Sequence, residues 1–413
     1  MSMEAHRSQI SNFGTILLWF VSTALSACFA QPHYLVCDDG YGSFENTFAT
    51  GVTVAVGATK SGGLSGRSCA GELDWKDGHL QVAMEASQVD VDVMGADLGL
   101  GVPVVSFQVR KSSADWAMTY QIYSLQKPPM LIRSITGGDF FRAADTNLNG
   151  KIEIWTTDIE AVNGFENFVA GEFDSAPTVV LRFEHNQLID VSTEFQPYFD
   201  EQISKLRTEL AAKDVADFRR SDGRLTGASI LSSNRTHELR TTKLKALEIV
   251  WCYLYSGREQ EAWQTLDDMW PASDYDRIRI AILNARAHGI RSQIDGVSTK
   301  RPSLRLRKHA YVFDAITEPP QGTTGGHFPY VDVRPQPILL RRPTPSEGGE
   351  PLTRTRQMLE LVVDSAGKVS SVKPIDFSDN PLIYAALGWK FIPAFALRHA
   401  VASRLRIEVS TSR

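Results

Sequence analysis

Two stretches near the end of the chain, MLELVVDSAGKVSSV (residues 358–372) and NPLIYAALGWKFIPA (residues 380–394), decide the fold of the C-terminal region. Every second residue from 359 to 363 is apolar, which is the period of a β-strand. The DSAG sequence that follows predicts a tight turn, because its glycine can adopt a positive φ, and a second strand returns after it. The Asn-Pro pair of the second stretch favours the start of a helix. With residues 400–409 as a last alternating strand, the sequence predicts a ββαβ fold over 353–413.

A set of turn, helix and aromatic residues in this region matches a known pattern. The matching residues are Asp364, Gly367, Val369, Asn380, Pro381, Ala385, Ala386, Trp389, Phe391, Pro393 and Ala394. On these residues the region resembles the C-terminal domain of the TonB family, the energy transducers of bacterial envelopes. The resemblance implies a small sheet covered by one helix, and a role in coupling to an outer-membrane partner.

The last strand is the segment where the resemblance implies partner binding. We expect residues 400–409 to lie at the edge of the sheet, where unpaired backbone groups accept an extended peptide. The resemblance implies that this peptide belongs to an outer-membrane receptor or another envelope protein. The expected contact residues are Val401, Ser403, Leu405 and Ile407 on one face of the strand, and Arg404 and Arg406, which would meet acidic side chains of the partner, on the other.

The start of the chain predicts export. Residues 15–25 form an apolar run of signal-peptide length, and small residues follow it, so residues 1–30 are interpreted as a signal peptide. Residues 25–28, LSAC, match a lipobox in which Cys28 would be acylated, whereas cleavage after Ala30 would release a soluble chain. A third interpretation keeps the segment as a membrane anchor, which a transducer would need. All three place the protein in the periplasm or cell envelope.

Composition agrees with an exported globular protein. The net charge is −5 and 43% of the residues are hydrophobic, so nothing attracts the chain to nucleic acid and large cores are expected. Cys37 and Cys69 both lie in the β-rich part of an exported chain and are predicted to form a disulfide. Cys252 lies in an apolar helical run, which indicates a buried thiol.

Residues 31–194 read as short alternating strands, which predicts an antiparallel β-rich region. Within it, DTNLNGKIE (residues 145–153) begins like a calcium loop of EF-hand type. The candidate ligands are Asp145, Asn147, Asn149 and Glu153, and the ion would be a structural calcium. The alternative is an Asn/Asp-rich hairpin turn without metal, since the twelfth position is Thr156 instead of the expected Glu.

Asp90 and Asp92 share one face of a predicted strand, about 7 Å apart by the strand rise. Two carboxylates at this spacing can perform acid/base chemistry, which would suit an envelope hydrolase. The simpler interpretation, which we favour, is a solvated strand face.

From residue 195 the apolar period changes to that of helices. Residues 195–297 are predicted to be helical, with one helical hairpin around Tyr253, Gly257 and Ala262 that resembles a tetratricopeptide unit. The aromatic residues of this part are expected to form its core. Residues 298–352 are rich in Pro and Gly and are predicted to be an extended linker.

The sequence therefore predicts an α+β multidomain protein with a β-rich N-terminal region, a helical middle, a linker and a TonB-like C-terminal domain. It holds no complete catalytic motif, so we expect a binding protein and not an enzyme. Apart from the candidate structural calcium, no cofactor is expected. The expected function is binding of an extended peptide by strand addition, with energy-coupled transport as its fullest form. The alternatives are a secreted or lipid-anchored structural protein and an envelope hydrolase.

Overall fold

The computed structural model describes residues 36–60, 67–173, 177–225, 233–300, 311–316, 333–341, 356–375 and 380–411. The strands are Val36–Asp38 (β1), Phe44–Thr47 (β2), Thr53–Lys60 (β3), Arg67–Trp75 (β4), Gly78–Ala86 (β5), Gln88–Ala96 (β6), Val104–Arg110 (β7), Met118–Ser124 (β8), Leu131–Gly138 (β9), Arg142–Ala144 (β10), Glu153–Thr157 (β11), Thr178–Glu184 (β12), Gln187–Asp190 (β13), Gly296–Val297 (β14), Tyr311–Ile316 (β15), Gln336–Leu339 (β16), Arg356–Val363 (β17), Val369–Pro374 (β18), Lys390–Ile392 (β19), Ala394–Ala396 (β20), His399–Val401 (β21) and Ser403–Thr411 (β22). The helices are Ile159–Val162 (α1), Gln196–Thr208 (α2), Ala212–Arg219 (α3), Ser233–Tyr255 (α4), Glu259–Met269 (α5), Tyr275–His288 (α6) and Asn380–Leu387 (α7). The predicted α+β class is confirmed.

Antiparallel sheets build the N-terminal region, as its alternating sequence predicts. One sheet has the order β1-β6-β7-β8-β9, and a second runs β2-β3-β4-β5. The turn between β4 and β5 lies at the predicted Asp-Gly hairpin, with Trp75 opposite Gly78. The predicted disulfide is confirmed: Cys37 of β1 and Cys69 of β4 are bonded, with a Cα–Cα distance of 5.7 Å. Since β1 and β4 belong to different sheets, the bond ties the two sheets together.

The helical middle packs against a third sheet of order β10-β11-β12-β13-β14. Helices α4 and α5 form the predicted hairpin, with Gly257 at a positive φ of 75° in the turn and Ala262 fully buried. Trp251 and Trp270 are also fully buried, as expected for core residues. Strand β14 follows α6, the last helix of this middle segment, and pairs in parallel with β13. The helical segment therefore begins and ends at the same sheet.

The C-terminal region contains the predicted strands and helix, and its sheet has one further strand, β15. Its sheet has the order β15-β22-β17-β18, and α7 packs on it over a core that includes Trp389 and Phe391. Strands β15 and β16 come from the segment predicted to be a linker, and they pair with β22 and β19, so this segment is not a linker throughout. Residues 301–310, 317–332 and 342–355 lie outside the described residues.

The C-terminal region is not self-contained. Strands β20 and β21 form a hairpin that joins the N-terminal sheet, with His399 opposite Glu45 of β2 in parallel. Phe395 of β20 packs on Phe44 of β2, with ring centroids 5.6 Å apart. Residues 34–413 accordingly form one compact unit. Within it the C-terminal region keeps a hydrophobic core of its own, to which Leu148 and Leu340 also contribute.

The predicted signal peptide, residues 1–30, and the lipidation candidate Cys28 lie outside the described residues. Within the part of the chain that the structure describes, no helix is both long and apolar enough to cross a membrane.

The disulfide gives a stability prediction. A bond that closes a loop of this length stabilises the folded state by about 3–4 kcal/mol, chiefly by restricting the unfolded chain. We expect dithiothreitol to lower the unfolding midpoint of the wild-type protein in urea. The double variant Cys37→Ala, Cys69→Ala should have the lowered midpoint without reductant and should not respond to it. An unchanged wild-type midpoint under full reduction would contradict the stabilising role.

Candidate functional site

The expected partner-binding strand is not at an edge. Strand β22 pairs antiparallel with β17 over eight positions, from Ser403 opposite Val363 to Ser410 opposite Arg356. On its other side it pairs with β15 over six positions, from Arg406 opposite Ile316 to Thr411 opposite Tyr311. The prediction of a free edge at residues 400–409 is therefore wrong, because a segment of the same chain occupies the edge.

The predicted contact side chains are engaged within the protein. Ser403, Leu405 and Ile407 point into the core beneath α7 and are at most 4% exposed. Val401 lies outside this strand, in β21, opposite Ala394.

The two predicted contact arginines lie on the other face of β22. The guanidinium groups of Arg404 and Arg406 each lie 3.7 Å from the carboxylate of Glu360 on β17. The acidic group that they contact thus belongs to the chain itself. The alternation of β22 is as the sequence predicts, but it faces a core and a neighbouring strand instead of a partner.

The outer strands of this sheet differ in character. Among the described residues, β18 has a ladder neighbour only in β17, apart from a single bridge between Lys368 and Lys390. Strand β18 carries the features that protect natural edges: exposed Lys373, a terminal Pro374, and a register shift against β17. Strand β15 has β22 as its one partner among the strands that the structure describes.

The calcium-loop candidate is a hairpin loop between β10 and β11. Both carboxylate oxygens of Asp145 accept backbone N–H bonds, from Asn149 at 3.0 Å and Gly150 at 2.9 Å. The side-chain oxygens of Asn147 and Asn149 likewise accept bonds from N–H groups two residues on, at 3.1 and 2.8 Å. These bonds describe the Asx-type turn that was the alternative interpretation. A calcium ion would have to share these oxygens with the amides, so calcium binding stays a prediction.

Glu153, the fourth calcium candidate, belongs to a buried ion-pair network. Its carboxylate lies 3.3 Å from Arg182, which is 2% exposed and also pairs with Glu184 and Glu194. Burial, and then the charge of Asp145, raises the pKa of Glu153 to about 8, while Arg182 opposes the shift. Its two carboxylate oxygens already accept hydrogen bonds from Arg182 and from the backbone N–H of Thr146, each at 3.3 Å, so a calcium ion would have to displace these contacts.

The same loop connects the third sheet to the C-terminal region. Leu148 at its tip is 6% exposed and belongs to the C-terminal core. The backbone N–H of Asp145 donates to the carbonyl of Ile338 in β16 at 2.8 Å. The loop thus holds the C-terminal region against the third sheet, a role for which no metal is required.

Asp90 and Asp92 are not on a solvated face, so that interpretation is wrong: each is 1% exposed. The Tyr120 hydroxyl and the Ala143 backbone N–H donate to Asp92 at 2.7 and 2.8 Å, and the Gln108 amide donates to Asp90 at 3.2 Å. Burial, and then the charge of Asp92, raises the pKa of Asp90 well above its usual range. Burial likewise raises the pKa of Asp92 to about 7, against the hydrogen bonds from Tyr120 and Ala143.

This network links β6, β7 and β8 to β10, and it encloses both carboxyl groups. A substrate would have no path to either of them without movement of the sheets. The sequence did carry a signal for this arrangement. Ser106 and Gln108 alternate with apolar residues on the neighbouring strand in the same way as Asp90 and Asp92 do.

A cluster that sequence reasoning missed lies on the β4–β5 hairpin. Glu72, Asp74 and His79 each offer a ligand atom, and these atoms lie within 4.8 Å of one another. The hydrogen bond that the ring N–H of exposed His79 donates to the Asp74 carboxylate, at 2.7 Å, raises the pKa of His79. The predicted Asp-Gly turn places Asp74 opposite His79, so the turn was the available signal. The group is exposed, and its geometry alone assigns it no ion.

A cavity of about 640 Å³ lies where the N-terminal sheets, the β10–β11 loop and the C-terminal region meet. Its wall includes residues from the β6–β7 loop, the end of β12, the end of β16 and the start of β19. The charged and titratable residues among them are Asp97, Lys151, Arg182, Glu184, His185, Lys300, Arg341 and Lys390. The volume lies in the range of small-molecule sites.

Comparison with family models, with curated proteins and with solved structures finds no match to this chain. The resemblance to the TonB family therefore rests on the residues quoted above and stays a prediction.

The buried Asp92 gives a pH dependence to test. Its folded-state pKa is raised from 3.8 to about 7, so between these values the folded state holds a proton that the unfolded state releases. Protonated Asp92 therefore stabilises the folded state at low pH. This contribution to the free energy of unfolding is lost as the pH rises toward 7, by about 3 kcal/mol between pH 5 and pH 8. In Asp92→Asn the amide oxygen can still accept both hydrogen bonds, and we expect the share of this loss that is due to Asp92 to disappear, while the shares of Asp90 and Glu153 remain.

The measurement is the free energy of unfolding in urea at about pH 5 and pH 8. Asp77→Asn, in the exposed β4–β5 turn, is the matched control and should follow the wild type at both values. A parallel pH response of Asp92→Asn and the wild type would show that Asp92 does not titrate in this range.

Proposed function

We propose that this protein is an exported envelope protein that binds an extended peptide along β22, in the position that its own β15 takes here. The observation that carries the proposal is the antiparallel ladder of six residue pairs between β15 and β22. A strand from the same chain already adds to the sheet in the way that a partner peptide would.

The origin of β15 supports displacement. It lies in the Pro/Gly-rich segment, with residues 301–310 before it and 317–332 after it, and it pairs with no strand other than β22 among those described. Removing β15 would leave the β22–β17–β18 ladder in place. Its exchange for another strand therefore costs the sheet only one ladder.

The two outer sides of the sheet argue for β22 over β18. Strand β18 is protected by Lys373, Pro374 and its register shift, which are devices against strand addition. Strand β22 has none of these in its paired part and relies on β15 as its cover. The apolar residues of β22 face the core, so specificity would come mainly from the backbone ladder and from contacts near Arg404 and Arg406.

Several features support an envelope location. The disulfide between Cys37 and Cys69 forms and persists in oxidising compartments such as the periplasm. The apolar run at residues 15–25 is of signal-peptide length. The partner that fits this setting is an envelope protein with an extended segment, such as the outer-membrane receptor that the TonB resemblance implies. Energy-coupled transport would additionally require the N-terminal segment to remain as an anchor.

The alternatives rest on less. An envelope hydrolase working through Asp90 and Asp92 would need both carboxyl groups exposed to substrate, and each is 1% exposed. A purely structural protein, secreted or lipid-anchored, would keep β15 in place permanently. The fate of β15 therefore discriminates between a structural and a peptide-binding role.

A labelled peptide of residues 309–318, HAYVFDAITE, tests the proposal in trans. In the full-length variant Val312→Pro, Phe313→Pro, one of the two lost N–H groups must face β22, because adjacent N–H groups of a strand point to opposite sides. We expect the peptide to bind this variant with measurable affinity in fluorescence anisotropy. Binding to the wild type should be at least about tenfold weaker, because the tethered β15 competes at high effective concentration.

The control is the same peptide with prolines at the positions of Val312 and Phe313, which should not bind either protein. Circular dichroism and the unfolding midpoint establish that the variant is folded. A folded variant that fails to bind the peptide would contradict strand addition at β22, and equal binding to both proteins would place the peptide at another site.

A further inference from the structure

The cavity at the junction of the three regions has an excess of positive charge. Six of its lining residues are basic, counting His185, and two are acidic. One acidic residue, Asp97, has a carboxylate oxygen that accepts the backbone N–H bonds of Gly99, Leu100 and Gly101 at 2.7–3.0 Å. Its charge is thus turned toward its own loop.

The other acidic residue, Glu184, forms ion pairs with the basic residues on one side of the cavity. Glu184 lies 2.8 Å from Arg182, 3.1 Å from Lys151 and 3.6 Å from Lys300. The hydrogen bond from Arg182 is the chief reason that the pKa of Glu184 is lowered to about 2. These cations therefore already have an acidic partner in the protein.

Arg341 and Lys390, on the opposite side, are different. Within the described part of the chain, neither forms an ion pair with a carboxylate. They are close in the fold, because Lys390 pairs with Leu339 in the β16–β19 ladder and Arg341 follows two residues later. Lys368, whose backbone bridges Lys390, adds a third positive charge at this side. Burial, and then the charge of Lys368, lowers the pKa of Lys390.

The backbone segments that carry both side chains are held by their surroundings. The indole N–H of buried Trp389 donates to the backbone carbonyl of Arg341 at 2.9 Å. The Arg341 side chain lies against Gly150, where a Cβ would come within 3.3 Å of its Nε. Lys390 begins a strand that pairs with β16. Like charges held together at a cavity wall repel each other unless an anion lies between them.

We propose that this cavity binds a phosphate-bearing ligand, with Arg341 and Lys390 as the side chains that hold the phosphate. A phosphate dianion suits this wall better than a single carboxylate, because two cations that form no ion pair with a described carboxylate face the cavity. The nearby charge of Asp364 offsets only part of the effect of burial and of Lys368 on Lys390. Arginine binds phosphate oxygens through paired N–H groups, and lysine supplies a point charge. The volume admits a small phosphoester or the headgroup of an anionic lipid, and these two sources share the recognised group.

The test uses the full-length protein at low ionic strength, because exposed charges are screened by salt. Inorganic phosphate and glycerol 3-phosphate are titrated by calorimetry, and vesicles of phosphatidylglycerol or phosphatidylcholine are assayed by co-sedimentation. We expect saturable binding of the phosphates or of the phosphatidylglycerol vesicles. Arg341→Gln and Lys390→Gln should each weaken it by about tenfold or more. Phosphatidylcholine vesicles should not bind.

The matched control is Lys76→Gln, an exposed lysine in the β4–β5 turn far from the cavity wall, which should bind like the wild type. Binding of phosphate without vesicle binding identifies a soluble phosphoester as the ligand, and the reverse identifies a lipid headgroup. Absence of binding to every probe would overturn the proposal. So would an equal loss in Lys76→Gln, or full binding by folded Arg341→Gln and Lys390→Gln.

Discussion

The backbone ladder of β22 is the interaction on which the C-terminal sheet depends. This strand bonds to β17 over eight residue pairs and to β15 over six, and its alternate side chains supply Leu405, Ile407 and Val409 to the core. Without β22 the sheet would divide into the β17–β18 hairpin and an isolated strand. Because a β-strand must have its N–H and C=O groups paired or solvated, whatever lies beside β22 decides whether the sheet is closed or ready to accept a peptide.

The C-terminal region is also bound into the rest of the molecule. The β20–β21 hairpin extends the N-terminal sheet at β2, and Leu148 of the β10–β11 loop enters the C-terminal core. These contacts join the C-terminal region to the N-terminal sheet and to the third sheet, and the basic cavity lies where the three regions meet.

Sequence reasoning identified what depends on local pattern. The alternation of β17 and β22, the hairpin at Asp77-Gly78 and the α4–α5 pair all follow from residues near one another. The Cys37–Cys69 bond follows from the oxidising location that the N-terminal sequence predicts. What it missed depends on distant pairing. The period of residues 400–409 indicates a strand but not its neighbours, and β15 lies about ninety residues upstream. Asp90 and Asp92 were likewise predicted to be exposed, because the sequence does not show that Tyr120 and Ala143 cover them.

The most direct test of this account is amide hydrogen exchange of β22 in the wild-type protein, resolved residue by residue by NMR. A strand paired on both sides protects consecutive amides, whereas an edge strand protects every second one, since adjacent N–H groups point to opposite neighbours. The account predicts slow exchange at all amides from 406 to 410. Alternating slow and fast exchange over the same residues would show that β15 does not cover β22, and would contradict the account.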